Sequence, residues 1–161
     1  MRYLISICIL FSIMVISGCE EIQQTASVSP TGAIKGGCIF SPQKIKFNQL
    51  TEIVQSSRIT AFVDVFDQFD SRMKAAGVWR FELYEKVLRS ADPMGSRIRI
   101  WTDIELTEAK VNQSHWRNYL HCYEFSLNLD SELPASKTYI LQAVCFTADG
   151  KRITDTIELK S

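Results

Sequence analysis

The sequence has no surplus of charge. Its 18 Lys+Arg are matched by 18 Asp+Glu, and no basic stripe gathers along any segment. That balance argues against nucleic acid as a partner and gives no support to binding acidic lipid by charge alone. Histidine is nearly absent. His115 and His121 are the only two, their separation misses the i, i+4 pair of a helical zinc site, and no Cys or carboxylate completes a recognised ligand spacing. Their expected places are a loop for His115 and a core-facing strand stripe for His121. The seven glycines form neither a phosphate-cradling loop nor a Gly-x-Ser-x-Gly elbow. No apolar run reaches the roughly 20 residues needed to cross a bilayer.

Other partial motifs lead nowhere. Asp64, Asp67 and Asp70 recur every third residue, whereas a calcium loop needs alternating ligands around a turn glycine. They read as capping and solvated carboxylates. Ser41-Pro42-Gln43-Lys44 and Ser71-Arg72-Met73-Lys74 fit Ser-x-x-Lys but lack the companion motifs of penicillin-binding enzymes. Nothing selects a pair of carboxylates for glycoside hydrolysis. No metal and no cofactor is expected.

What the sequence does have is a leader. Met1-Arg2 supplies a positive start, and Tyr3 to Ile16 follows as an apolar stretch broken only by Ser6 and Ser12. It is about fourteen residues long, the length of a signal-peptide h-region rather than a membrane span. The stretch ends in Ile16-Ser17-Gly18-Cys19. This tetrapeptide resembles the lipobox of bacterial lipoprotein precursors: an aliphatic residue, a small one, Gly or Ala, then Cys. The resemblance implies cleavage between Gly18 and Cys19, a thioether from the Cys19 sulfur to diacylglycerol, and acylation of the freed amine. Each buried CH₂ contributes about 0.8 kcal/mol, so two or three acyl chains would make membrane attachment effectively permanent. Glu20 stands where inner-membrane lipoproteins commonly carry Asp, so the same resemblance points to the outer membrane if the cell has two.

On that reading residues 1–18 are a signal peptide, 19–37 a lipidated N-terminus with a tether, and 38–161 a folded domain. Loss of Arg2 leaves the acidic residues one ahead in the mature chain. Glu20 to Gly37 is polar, has no apolar period, and is broken by Pro30, Gly32, Gly36 and Gly37. A coil of that length has an end-to-end distance of roughly 25 Å.

From Lys44 onward apolar residues alternate with polar ones, the signature of half-buried strands. The runs are Lys44–Phe47, Arg58–Phe66, Val78–Val87, Arg97–Ile104, Tyr119–Leu129, Thr138–Thr147 and Arg152–Leu159. Asp149-Gly150 between the last two is a type I′ hairpin signal, and Asp92-Pro93-Met94-Gly95 marks another turn. About seven strands at this spacing predict an all-β antiparallel two-sheet sandwich, immunoglobulin-like or transthyretin-like. Leu133 to Leu141 resembles the approach to the penultimate strand of immunoglobulin-like and fibronectin-type-III-like domains, where a Tyr often closes the corner. Neither fold implies a function. One or two short helical turns are expected, over Asp67–Gly77 with Asp67 as N-cap and over Leu106–Arg117 with Thr107 as N-cap.

Alternation also assigns faces. Trp79, Phe81 and Leu83 share a core face. Ile98, Ile100 and Ile104 face one way, leaving Arg97, Arg99 and Trp101 to face solvent or a partner. Trp101, Arg97, Arg99 and the nearby Trp116 are therefore a possible binding face for a protein or a sugar ring; the competing reading has the tryptophan covered by a neighbouring loop. Three cysteines, Cys38, Cys122 and Cys145, remain in an exported, oxidising setting. If Tyr119–Leu129 and Thr138–Thr147 pair as a hairpin with Leu129 opposite Thr138, Cys122 falls opposite Cys145. That disulfide, with Cys38 unpaired, is one possibility; placement of the two runs in opposite sheets would separate the sulfurs. Function stays open between a non-catalytic envelope module that binds protein or glycan and an envelope-associated hydrolase.

Overall fold

The computed structural model describes residues 40–161. They form two antiparallel sheets packed face to face. In chain order the elements are β1 (Lys44–Phe47), β2 (Glu52–Val54), β3 (Arg58–Phe66), β4 (Gly77–Lys86), β5 (Met94–Ile100), β6 (Ile104–Glu105), α1 (Ala109–His115), β7 (Trp116–Arg117), β8 (Cys122–Asn128), β9 (Thr138–Thr147) and β10 (Arg152–Lys160). One sheet runs β1-β3-β8-β7, with β2 also on β3; the other runs β10-β9-β4-β5, with β6 also on β4. Each of the seven longer strands overlaps an expected run, but the run expected over Arg97–Ile104 is broken, covering the end of β5 and the first residue of β6. Numbered one to seven, the first, second and fifth share a sheet, and the order seven-six-three-four makes the other. This is an all-β antiparallel two-sheet sandwich, with the fourth strand beside the third.

The alternation explains the packing. Along β4 the buried residues are Gly77, Trp79, Phe81 and Leu83, and along β8 Tyr123, Phe125 and Leu127 face them. The aromatic rings interlock across the sheets: Phe81 to Phe125 at 4.7 Å between centroids, Trp79 to Phe125 at 5.2 Å and Trp79 to Tyr123 at 5.6 Å. Contacts of this kind add about 0.5–1.5 kcal/mol per pair beyond area burial. Tyr139, at the start of β9, donates its hydroxyl to Pro134 O at 3.3 Å, closing the corner before the penultimate strand.

At one edge Asp155 of β10 reaches toward β1 and accepts the Phe47 N–H at 2.8 Å. A carboxylate aimed inward from an edge strand binds an otherwise free backbone donor and blocks pairing with a foreign strand.

Some local expectations change. Asp67–Gly77 is not helical. Asp67 Oδ1 accepts the N–H groups of Phe69 (2.8 Å) and Ser71 (2.9 Å), Asp70 takes φ 58°, and the chain doubles back so that Arg72 bridges Phe66. Gly77 starts β4 instead of ending a helix, because a Cβ there would stand 2.6 Å from Phe146 O. The second helix exists as α1, but Glu108 stands at its N-cap, and the Thr107 hydroxyl bonds Glu105 Oε1. The β9–β10 turn has positive φ at Gly150 alone, with bonds from Gly150 N to Thr147 O and from Thr147 N to Lys151 O. That is the three-residue loop with a left-handed glycine, not type I′.

Candidate functional site

The expected binding face does not assemble. β5 is an edge strand whose pairing with β4 shifts register on both sides of Tyr84, so Arg97 lies opposite Tyr84 while Arg99 lies opposite Leu83. Arg97 stays exposed, but past the irregularity the assigned faces invert. Ile98 and Ile100 are each 44% exposed, and Trp101 turns in at the open edge of the sandwich, packs against the core, and donates Nε1 to Asn128 O of the other sheet at 2.6 Å. Trp116 belongs to β7 of that other sheet and is buried against Tyr123, centroids 5.1 Å apart. Arg97 is held by Glu82 Oε2 at 2.8 Å and Arg99 pairs with Asp130. Two covered tryptophans and two neutralised arginines on different sheets make no shared platform.

The cysteines separate too. Cys122 sits in β8 and Cys145 in β9, which lie in opposite sheets, and both are free and buried. The hairpin register that would join them does not occur. β9 pairs with β4 and β10, placing Cys145 opposite Trp79 and Ile153. Burial pushes the Cys122 thiol up to about 11 and the Cys145 thiol up to about 12. Neither forms the thiolate that exchange chemistry requires near neutral pH. Gly18, Cys19 and Cys38 lie outside the described residues.

His121 is not in a core stripe. It is exposed in the turn before β8, at φ 54°. His115 ends α1, its Nδ1 3.1 Å from Glu124 O and its ring 5.2 Å from Phe125. The three aspartates serve three partners: Asp67 holds its own loop, Asp70 pairs with Lys44 at 2.6 Å, and Asp64 pairs with Arg72. Ser41 bonds Gln43 and Lys151, while Lys44 is taken by Asp70. Lys74 lies over the Trp116 ring and bonds Gln113.

Asp64 is where polar chemistry is left open. It is buried at 5% exposure on the outward face of β3. The strand registers set its neighbours: Lys46 of β1 lies opposite Asp64, and Arg117 of β7 lies opposite Cys122. The β3–β8 register, with Val63 opposite Tyr123, carries Cys122 beside Asp64. A row of cation, carboxylate, thiol and cation therefore crosses the sheet. The Asp67–Ser71 loop returns Arg72 over this row, where its guanidinium touches Asp64 Oδ2 and Leu120 O, each at 3.3 Å. Asn48 Nδ2 also reaches Oδ2 at 3.3 Å, while Oδ1 is buried with no partner. Burial pushes the Asp64 carboxyl above its ordinary range, against the opposing pull of Arg72 and Asn48.

Above Asp64 lies an open cavity of about 290 Å³, walled by the Lys46–Leu50 segment and by Arg72. By sequence alone Asp64 reads as a capping or solvated carboxylate, and this site is not marked. The signal present was a charged residue where Arg58–Phe66 becomes continuously apolar near its end.

No protein-family model and no curated protein matches the chain. Among solved structures, a hypothetical protein of Pyrococcus horikoshii is similar in outline, with a TM-score of 0.42 and 9% identity over 78% of this chain and 93% of that one. Likeness at that level carries nothing about function.

Proposed function

We propose that this chain is a bacterial envelope lipoprotein whose sandwich is a non-catalytic binding module for envelope protein or glycan. The tetrapeptide Ile16-Ser17-Gly18-Cys19, at the end of an apolar run too short to span a bilayer, carries the reading. Cleavage and lipidation at Cys19 would leave palmitate-type chains in the membrane, on the periplasmic side of the outer membrane if there are two.

The fold is consistent with that use. Among the described residues no helix is long and apolar enough to cross a membrane. β1 begins at the end of the sandwich that also holds the Asp67–Ala76 and Ala148–Lys151 loops. A tether joined there leaves the other end of the sandwich about 33 Å away, the length of the ten-residue β9. An open polar cavity on the outward face of a sheet suits recognition of a polar ligand.

Co-sedimentation tests the proposal. The lipidated protein, held in detergent micelles and incubated with detergent-extracted envelopes from cells lacking it, should pellet with their protein or glycan and release no soluble fragments. Release of sugar or peptide fragments would instead make it a hydrolase. Failure to pellet with the extracted envelopes would remove the binding role.

A further inference from the structure

We infer that the cavity over Asp64 is a subsite for a single acidic sugar residue, a hydroxylated ring that carries a carboxylate. The inference rests on the binding-module reading and narrows its ligand to glycan.

The rim is cationic and open. Lys46 lies opposite Asp64 in the β1–β3 register, yet among the described residues it makes no ion pair. Its side chain is exposed. Arg72 has five N–H donors, and its contacts to Asp64 and Leu120 are both 3.3 Å, beyond the common N–H···O range of about 2.7–3.2 Å. Two of those donors are used, so the remaining N–H groups can meet a ligand carboxylate in a charge-assisted contact while Arg72 stays on Asp64. Lys46 adds a second charge on the same side.

The floor asks for the opposite group. Asp64 Oδ1 is buried without a donor, and an unsatisfied buried acceptor costs about 1–3 kcal/mol. A ring hydroxyl entering beside Arg72 would supply the missing O–H. Asn48 and Gln49 place amides on the wall, and the half-exposed Leu50 offers an apolar surface for a ring. At roughly 30 Å³ per water, the cavity matches about ten waters, room for one sugar ring with its chain continuing outward. Acid and hydroxyl must be joined in one small ligand, because the two demands meet within this one cavity.

The test is titration calorimetry of the full-length lipidated protein in detergent micelles with D-glucuronate, D-glucose, acetate and N-acetyl-alanine. Glucuronate should bind, with glucose and acetate each weaker by about tenfold or more, since each lacks one of the two charge-assisted or hydroxyl contacts. K46Q, an exposed change that leaves the core intact, should weaken glucuronate about tenfold and leave glucose unchanged. D64N should weaken both sugars in protein whose circular dichroism is unaltered. Acetate or N-acetyl-alanine binding as tightly as glucuronate would reduce the site to an anion or peptide-terminus site and overturn the inference. Absence of sugar binding, or an unchanged K46Q, would overturn it too. If glucuronate fails while envelope co-sedimentation persists, the subsite is wrong and the module reading survives; loss of both removes the reading.

Discussion

Asp64 receives two donors on one oxygen and none on the other, and its burial sets a definite pH behaviour. The folded carboxyl lies above its ordinary value of 3.8. A group raised on folding favours the folded state while protonated, and that contribution is lost as pH rises through the folded value. The stability of wild type relative to D64N should therefore fall as pH rises from below 3.8. Urea midpoints of both proteins at closely spaced pH check the sign, and a difference that grows with pH would refute it. Asn112 offers a second residue-level test. Its Nδ2 donates to Ala75 O (2.8 Å) and Leu106 O (2.9 Å), and its Oδ1 accepts the Tyr123 hydroxyl at 2.8 Å. N112A leaves the Leu106 carbonyl without this donor, while the Tyr123 hydroxyl keeps its bonds to Ala75 N and O, and should cost about 1–3 kcal/mol in urea denaturation. Residues whose place follows from strand parity, such as Trp79 and Phe81, were legible in the sequence. Asp64 was not, because its partner Arg72 arrives through a loop whose path depends on Asp67 capping and on positive φ at Asp70.

Elements were legible where the alternating run is long and its pairing with a neighbour keeps one register. β3, β4, β9 and β10 fall within a residue of their predicted ends. The edge strand β5 shows why the rest was not. Two register irregularities against β4 turn Arg99 and Trp101 inward and leave Ile98 and Ile100 half in water, and strand period alone carries no sign of a bulge. His121 fails for a related reason: β8 starts at Cys122, so the alternation through Tyr119 and His121 belongs to a turn. Gly77 gives the element-scale prediction. The G77A methyl would meet Phe146 O at 2.6 Å within the central β4–β9 ladder, whereas at Gly150, φ +81°, nothing lies within 4 Å. G77A should cost about 1–3 kcal/mol through overpacking and G150A only about 1 kcal/mol through backbone strain. Thermal melts of the two variants in parallel should preserve that order.

At the scale of the whole molecule, the two-sheet sandwich follows from seven amphipathic runs that have no other way to bury their apolar faces. Which sheet each run joins does not follow, since a strand reads the same whether its successor pairs beside it or crosses over. That is why Cys122 and Cys145 looked like cross-strand neighbours and are instead in opposite sheets. Non-reducing peptide mapping of protein taken from the envelope should recover no peptide joining them, and their thiols should resist alkylation until the protein is unfolded.

The account as a whole depends on Cys19 holding the sandwich at a membrane. Metabolic labelling with radioactive palmitate, comparing wild type with C19A, addresses this directly. Wild type should carry label and partition with membranes, and C19A should carry none and leave the membrane fraction. A C19A protein that remained labelled and membrane-bound would contradict the account.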